Sequence, residues 1–256
     1  MPPVDSSFRV GVQFHPQHTS VESLRRAWRE ADDLGVDTIW IWDHFYPLYG
    51  PADGAHFECW TLLAAMAVET HHARFGALVS SNSYRNPELL ADMARTIDHL
   101  SGGRFILGIG GGWFERDYDE YGYEFGTPAT RLRALAESLP RIRARLAKLT
   151  PPAVGALPIM IGGRGEKVTL RLVAEHAGLW NTFPPADEFG RLNGVLDEWC
   201  AAVGRDPAEI ERSVLLNADV TDAEVDAMLA AGANHLIVGV GDPFDLAPVR
   251  RLLARR

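Results

Sequence analysis

Eight short apolar runs recur along the chain, each followed by a polar turn and then an amphipathic segment. The runs are Phe8–Phe14, Thr38–Trp42, Arg74–Val79, Phe105–Ile109, Pro158–Ile161, Leu179–Phe183, Ser213–Asn217 and His235–Val240. They are rich in Val, Ile, Leu and aromatic residues and do not strictly alternate apolar with polar. Such runs suit strands covered on both faces, as in a parallel sheet.

The segments between them have helical spacing. Thr19 and Glu22 have capping-box spacing ahead of Leu24, Ala27, Trp28, Ala31 and Leu34, and Gly35 ends the segment. Phe57–Thr70 is a second helix. Pro87 opens a third, with Leu90, Met93, Ile97 and Leu100 on one face and Gly102-Gly103 as its stop. Arg131–Leu149, Glu166–Ala177 and Ala186–Val203 follow, and Asp206-Pro207 starts a further one. Thr221 with Glu224 caps Ala223–Ala231, and Pro248–Ala254 comes last. Shared among eight units, 256 residues allow about 32 each, the size of a βα repeat. Strict alternation calls for a parallel sheet, and eight repeats without a long linker favour a closed (β/α)₈ TIM barrel over an open doubly wound sheet. The expected fold class is therefore α/β, with one domain over residues 1–256.

Charge and cysteine usage narrow the function. The 25 Lys and Arg against 34 Asp and Glu leave a net charge of −9, the wrong sign for a general nucleic-acid binder. No apolar stretch approaches the ~18 residues that span a bilayer. Met1–Ser7 lacks the basic and apolar blocks of a secretory signal. Cys59 and Cys200 have neither disulfide-framework nor zinc spacing. A soluble cytoplasmic protein is expected, with no membrane or nucleic-acid partner.

In such a barrel, chemistry sits where the strands end. Those ends carry Gln13-Phe14-His15, Asp43-His44, Ser80-Ser81-Asn82, Gly110-Gly111-Gly112-Trp113, Gly162-Gly163-Arg164-Gly165, Asn181-Thr182, then Asn217 and Asp219, and last Gly239, Gly241 and Asp242. The glycines after strand four do not make a dinucleotide fingerprint, because Trp113 stands where Gly or Ala is needed. They are either turns needing unusual backbone angles or places where a flat ligand approaches the chain. Gly162-Gly163-Arg164-Gly165-Glu166-Lys167 enters a helix, so it is either a plain turn or a phosphate cradle of free N–H groups with Arg164 and Lys167 nearby. His44 has the chemistry for proton transfer near neutrality or is structural. Trp113 and Trp180 either pack in the core or stack on a planar ligand. His15-x-x-His18 and His71-His72 have no third ligand at metal-site spacing, so no metal is expected.

Taken as an ordered set, several stretches resemble the luciferase-like monooxygenase superfamily, and within it the deazaflavin-dependent oxidoreductases. They are Gly35–Trp40 leading into Trp42-Asp43-His44-Phe45, Ala77–Pro87, Asp98–Arg104 with Leu107–Trp113, and Pro158–Gly163. The resemblance implies a (β/α)₈ barrel holding coenzyme F420 at its mouth, a small-molecule substrate, and often a homodimer, for which the aromatic Tyr46–Trp60 segment is a candidate surface. It places Asp43 and His44 beside the cofactor ring, with His44 as the catalytic group handling the proton. It also implies a non-proline cis peptide at Ala77–Leu78 supporting the ring, Ser80 as a ring or tail contact, close passage of Gly111 and Gly112, and phosphate binding by Gly162, Gly163, Gly165 and Glu166. Asn82, Trp113 and Trp180 are then expected to line the substrate pocket. Sugar-phosphate dehydrogenases of the family carry a catalytic Glu where this chain has Trp113, which argues against that substrate class. The connection from Leu149 to Pro158, before strand five, is shorter than in many relatives, so a more open site is expected. A reduced-FMN-dependent monooxygenase is the alternative enzyme, and a flavin-binding barrel or partner subunit without catalysis is the alternative of another kind.

Overall fold

A computed structural model describes residues 8–256; the Met1–Ser7 stretch, and with it the signal-peptide question, lies outside the described residues. The elements alternate as the spacing requires. β1 (Arg9–Phe14) leads to α1 (Val21–Asp33), β2 (Thr38–Ile41) to α2 (Cys59–Glu69), and β3 (Arg74–Ala77) with β4 (Ser80–Ser81) to α3 (Pro87–Ser101). β5 (Phe105–Gly110) is followed by α4 (Glu115–Tyr121) and α5 (Pro128–Leu146), then β6 (Ile159–Gly162) by α6 (Thr169–His176). β7 (Leu179–Thr182) leads to α7 (Ala186–Val203), β8 (Glu211–Asn217) to α8 (Asp222–Ala230), and β9 (His235–Val240) to α9 (Ala247–Leu253).

All strand pairs are parallel, and the β3–β5 pairing closes the sheet into a barrel. The third expected strand is split. Phe75 and Gly76 pair with β5, the chain then leaves the ladder, and β4 returns to it at Ser80 and Ser81. A non-proline cis peptide lies in this bulge at Leu78–Val79, one bond later than the sequence implies. The reason is visible in the ladder: Leu78 N–H still donates to Ile41 O at 2.8 Å, so Ala77–Leu78 continues the strand geometry.

Strand alternation sorts the apolar residues into two cores. Trp40, Leu78, Ile106, Met160, Leu179 and Ile237 fill the barrel, with Val79 and Leu215 against them. A much larger cluster lies between the strands and the helices. Burying it is what stabilises the barrel, because each helix stripe has no other place to leave water.

Local starts and stops differ from the spacing in a few places. Ser20, not Thr19, caps α1 by accepting from Ser23 N–H, while Thr19 Oγ1 donates to Asp242 at 2.6 Å. Asn86 and Pro87 open α3 and Gly102 closes it, and the Thr221–Glu224 capping box forms as expected. α5 begins three residues earlier than Arg131, at Pro128, where Thr127 and Thr130 cap it reciprocally. α6 begins only at Thr169, leaving Glu166–Val168 as a turn. The short segment 147–158 before β6 is pinned to α3: Asp98 Oδ2 accepts from Val154 and Gly155 N–H at 2.8 and 2.9 Å.

Candidate active site

The C-terminal ends of the strands build the site. His44 stands just past β2, and its Nδ1 lies in hydrogen-bond contact with Asp117 Oδ2 at 2.7 Å. Asp117 comes from α4, a helix the apolar pattern does not reveal. Its buried carboxylate also accepts from Tyr84 Oη at 2.8 Å and from the Phe45 and Tyr46 N–H groups at 3.1 and 3.2 Å. The imidazole is walled by Trp42, Trp113 and Phe114, whose ring centroids lie 5.5–6.5 Å away. Only 9% of the His44 side chain is exposed, yet among the described residues Nε2 has no hydrogen-bond partner and is not sealed from solvent. The ring thus presents one free nitrogen to the mouth.

The floor of the mouth is Val79, which the bulge turns inward. A Cβ placed on Gly110 would approach Val79 Cγ2 to 2.9 Å, and one on Gly162 would approach Val79 Cγ1 to 3.0 Å. Bare glycines on β5 and β6 therefore make room for this one apolar side chain. Next to it, Gly112 adopts φ +78°, and a Cβ there would lie 1.9 Å from the Tyr118 hydroxyl. Gly112 O accepts from Arg131 Nε at 3.0 Å, which holds this turn from behind.

Beyond β6, Gly163 has φ +132° and its N–H donates to Asn181 O. Among the described residues the amides from Arg164 to Val168 donate to no backbone carbonyl. A hollow of about 390 Å³ opens here, lined by Leu132, Gly165, Glu166, Lys167 and Val168. Leu132 also borders Gly111, so the hollow adjoins the mouth. The Glu166 carboxylate pairs with Arg191 at 3.1 Å, leaving its backbone N–H as the group it can offer an anion.

Five expected contacts move elsewhere. Asp43 is buried and its carboxylate is taken by Arg85 at 2.5 Å and Trp60 Nε1 at 3.3 Å. Burial pushes that carboxyl above its usual range despite the guanidinium beside it. Ser80 is sealed under the same Trp60 indole, which donates to its Oγ at 2.9 Å. Ala77 points outward into the helix layer while Leu78 belongs to the barrel core. Trp180 also faces outward, because strand alternation gives the interior to Leu179 and Asn181. It stacks on Phe189 at 5.3 Å and its Nε1 donates to Gly163 O at 2.7 Å, bracing the glycine-rich turn after β6 from outside. Trp113, by contrast, is 63% exposed at the mouth, and Asn82 opens the single helical turn Asn82–Tyr84 after β4.

His15 completes the rim. It stacks on Trp42 at 4.4 Å, and its Nδ1 meets the Tyr49 hydroxyl. Burial lowers its pKa to about 4, and burial with the neighbouring His44 lowers His56 to about 4 as well. Both rings are neutral at pH 7. Among the described residues no cluster of three or more His, Cys, Asp or Glu is arranged for a metal, and no helix is long and apolar enough to cross a membrane.

The family model for luciferase-like monooxygenases matches residues 6–255. The chain belongs to that family. A 5,10-methylenetetrahydromethanopterin reductase of Archaeoglobus fulgidus is 27% identical over 179 residues, covering 65% of this chain and 50% of that protein. The chain spans about half the length of the first curated relatives it matches. An F420-dependent secondary alcohol dehydrogenase, solved with an F420-acetone adduct, superposes with a TM-score of 0.84 over 95% of this chain and 96% of its own, at 15% identity. The FMN-bound oxygenating component of 3,6-diketocamphane monooxygenase from Pseudomonas putida superposes with a TM-score of 0.71 over 96% and 95%, at 16% identity. At these identities the two structures establish the shared barrel.

Proposed function

We propose that this luciferase-like protein is an oxidoreductase that moves a hydride between coenzyme F420 and a small organic substrate, with His44 giving or taking the accompanying proton. The observation that carries the reading is the His44 imidazole, held by a buried carboxylate with Nε2 left free at a mouth floored by Val79 between bare glycines. The residues present suit a flat ring with an anionic tail. Gly110 and Gly162 carry no side chain, so Val79 alone forms the apolar floor between them, and the amides of 164–168 suit a phosphate.

The bound deazaflavin would supply the carbon that donates or accepts the hydride. This chain's residues do the rest. Gly111 and Gly112 admit the ring close to the backbone, and the turn of Gly162, Gly163, Gly165 and Glu166 takes the phosphate, with Arg164 and Lys167 adding positive charge. Trp113 and Asn82 face the substrate. His44 Nε2 holds or releases the proton, with the aromatic wall of Trp42 and Phe114 limiting water around it.

The FMN-bound neighbour favours a second reading, a reduced-FMN-dependent monooxygenase. Titration with reduced F420 and reduced FMN separates the two. F420 binding with substrate-dependent oxidation is expected; FMN binding without F420 binding would replace the first reading, and binding without turnover of any acceptor would leave a non-catalytic flavin-binding barrel. We also infer a homodimer through the Tyr46–Trp60 segment, to be measured by sedimentation.

A further inference from the structure

From the hydrogen bonds that converge on it, we infer that Asp117 is a positioning residue that selects the tautomer of His44 and so decides which ring nitrogen meets the reacting molecule. The inference rests on the role proposed above for His44 and adds the group that sets it up.

A neutral imidazole carries one proton, and the partner of one nitrogen decides where it sits. An ionised carboxylate only accepts hydrogen bonds. Asp117 Oδ2 lies 2.7 Å from His44 Nδ1, so the proton belongs on Nδ1 and the lone pair on Nε2. The carboxylate has little freedom to turn. Oδ1 accepts from the N–H groups of Phe45 and Tyr46, the two residues that follow the histidine, and Oδ2 accepts from the Tyr84 phenol as well. One side chain thereby ties α4, the β2 exit and the turn after β4 together, with the imidazole at the junction. The Asp117 side chain is fully buried, and burial raises the Tyr84 phenol above its usual range, so Tyr84 stays a donor. The facing titratable groups are Tyr84, Tyr118 and, across the indole of Trp42, His56, which burial keeps neutral at pH 7. In this arrangement Nε2 can accept a proton from substrate, and once it has done so the carboxylate stabilises the imidazolium.

Replacing Asp117 by Asn keeps the shape and reverses the logic. The Asn oxygen can still accept from the two N–H groups, but its NH₂ must then face His44 Nδ1. The ring proton moves to Nε2, the wrong nitrogen for accepting one. A dyad of this kind in serine proteases loses about 10⁴ in kcat on the same change.

The test has two arms. Nitrogen-15 NMR of the native protein without cofactor, at a pH where the ring is neutral, is expected to show His44 protonated at Nδ1, and Asp117→Asn to show it protonated at Nε2. With cofactor and substrate, Asp117→Asn is expected to lower kcat by about 10²–10⁴-fold while KM and cofactor affinity change less than about tenfold. Protonation of native His44 at Nε2 would overturn the inference without any variant, even if Asp117→Asn fails to fold. So would an Asp117→Asn protein with an unchanged tautomer or unchanged kcat. The NMR arm needs no cofactor, so failure of the F420 reading alone leaves the tautomer result standing.

Discussion

The two ends of the barrel treat their polar groups in opposite ways. At the N-terminal end of the strands nearly every one is spent. Arg104 donates to Ser101 O, Thr70 Oγ1, Ala73 O, Ala67 O and Thr70 O, closing the end of α2 onto the start of β5. Asp32 accepts from three successive N–H groups, His71, His72 and Ala73, and so fixes the entry to β3. Inside, a chain runs from Trp40 Nε1 to Thr38 Oγ1, on to His235 Nε2, and from His235 Nδ1 to Glu211, without a free donor. At the C-terminal end the supports are just as well satisfied, in Asp43–Arg85 and in Asp117, but the groups they hold are not. His44 Nε2 and the amides of 164–168 are left without hydrogen-bond partners among the described residues. A saturated polar group contributes stability; one held in place and left facing solvent is available to a ligand.

That contrast predicts which end affects which measurement. The largest effect is expected at His44: His44→Ala should lower the chemical step about 10²–10⁴-fold with little change in cofactor affinity, as stopped-flow rates and cofactor titration would show. Equal rates in parent and variant would remove His44 from the reaction. Arg104→Ala should do the reverse. Losing five hydrogen bonds under α2 should cost roughly 3–5 kcal/mol, read in urea unfolding, while kcat per folded molecule stays within about twofold. A large loss of kcat at wild-type stability would dissolve the distinction between the ends.

A smaller effect concerns pH. His15 and His56 have folded-state pKa values of about 4, below the ordinary value of 6.5 that they regain on unfolding. Between these limits the unfolded chain binds protons that the folded one does not, so stability is full above about 6.5 and falls as pH drops toward 4. His15 contributes at most roughly 3 kcal/mol of that loss, and His15→Gln should flatten the fall in melting temperature over this window. The smallest effect on stability is expected at Trp113, which is largely in solvent. Trp113→Ala should change unfolding free energy by less than about 0.5 kcal/mol but raise substrate KM several-fold, a split that steady-state kinetics alongside calorimetry would expose.

Much of the site was legible because local pattern and topology agree. His44, Gly111, Gly112, Gly162, Gly163, Gly165, Glu166 and Trp113 all stand at strand ends, and strand ends follow from the apolar runs. What was missed has no local signature. Asp117 sits in the seven-residue helix α4, which has no side-chain cap and no apolar stripe. Its meaning comes from lying 2.7 Å from a histidine 73 positions away. Val79 and Arg85 were inside a recognised stretch, but which of Ala77, Leu78 and Val79 turns inward depends on where the chain leaves the β5 ladder, and Arg85 gained its role only by finding Asp43 buried beneath it.

By itself the order of residues determined the alternation of strand and helix, the closed parallel barrel and the end of it where His44 and the glycine turns gather, because hydrophobic period and turn chemistry act over a few residues. Only the folded chain decided which carboxylate supports and which nitrogen stays free. That depends on long-range proximity and on burial, neither of which exists until the barrel has closed.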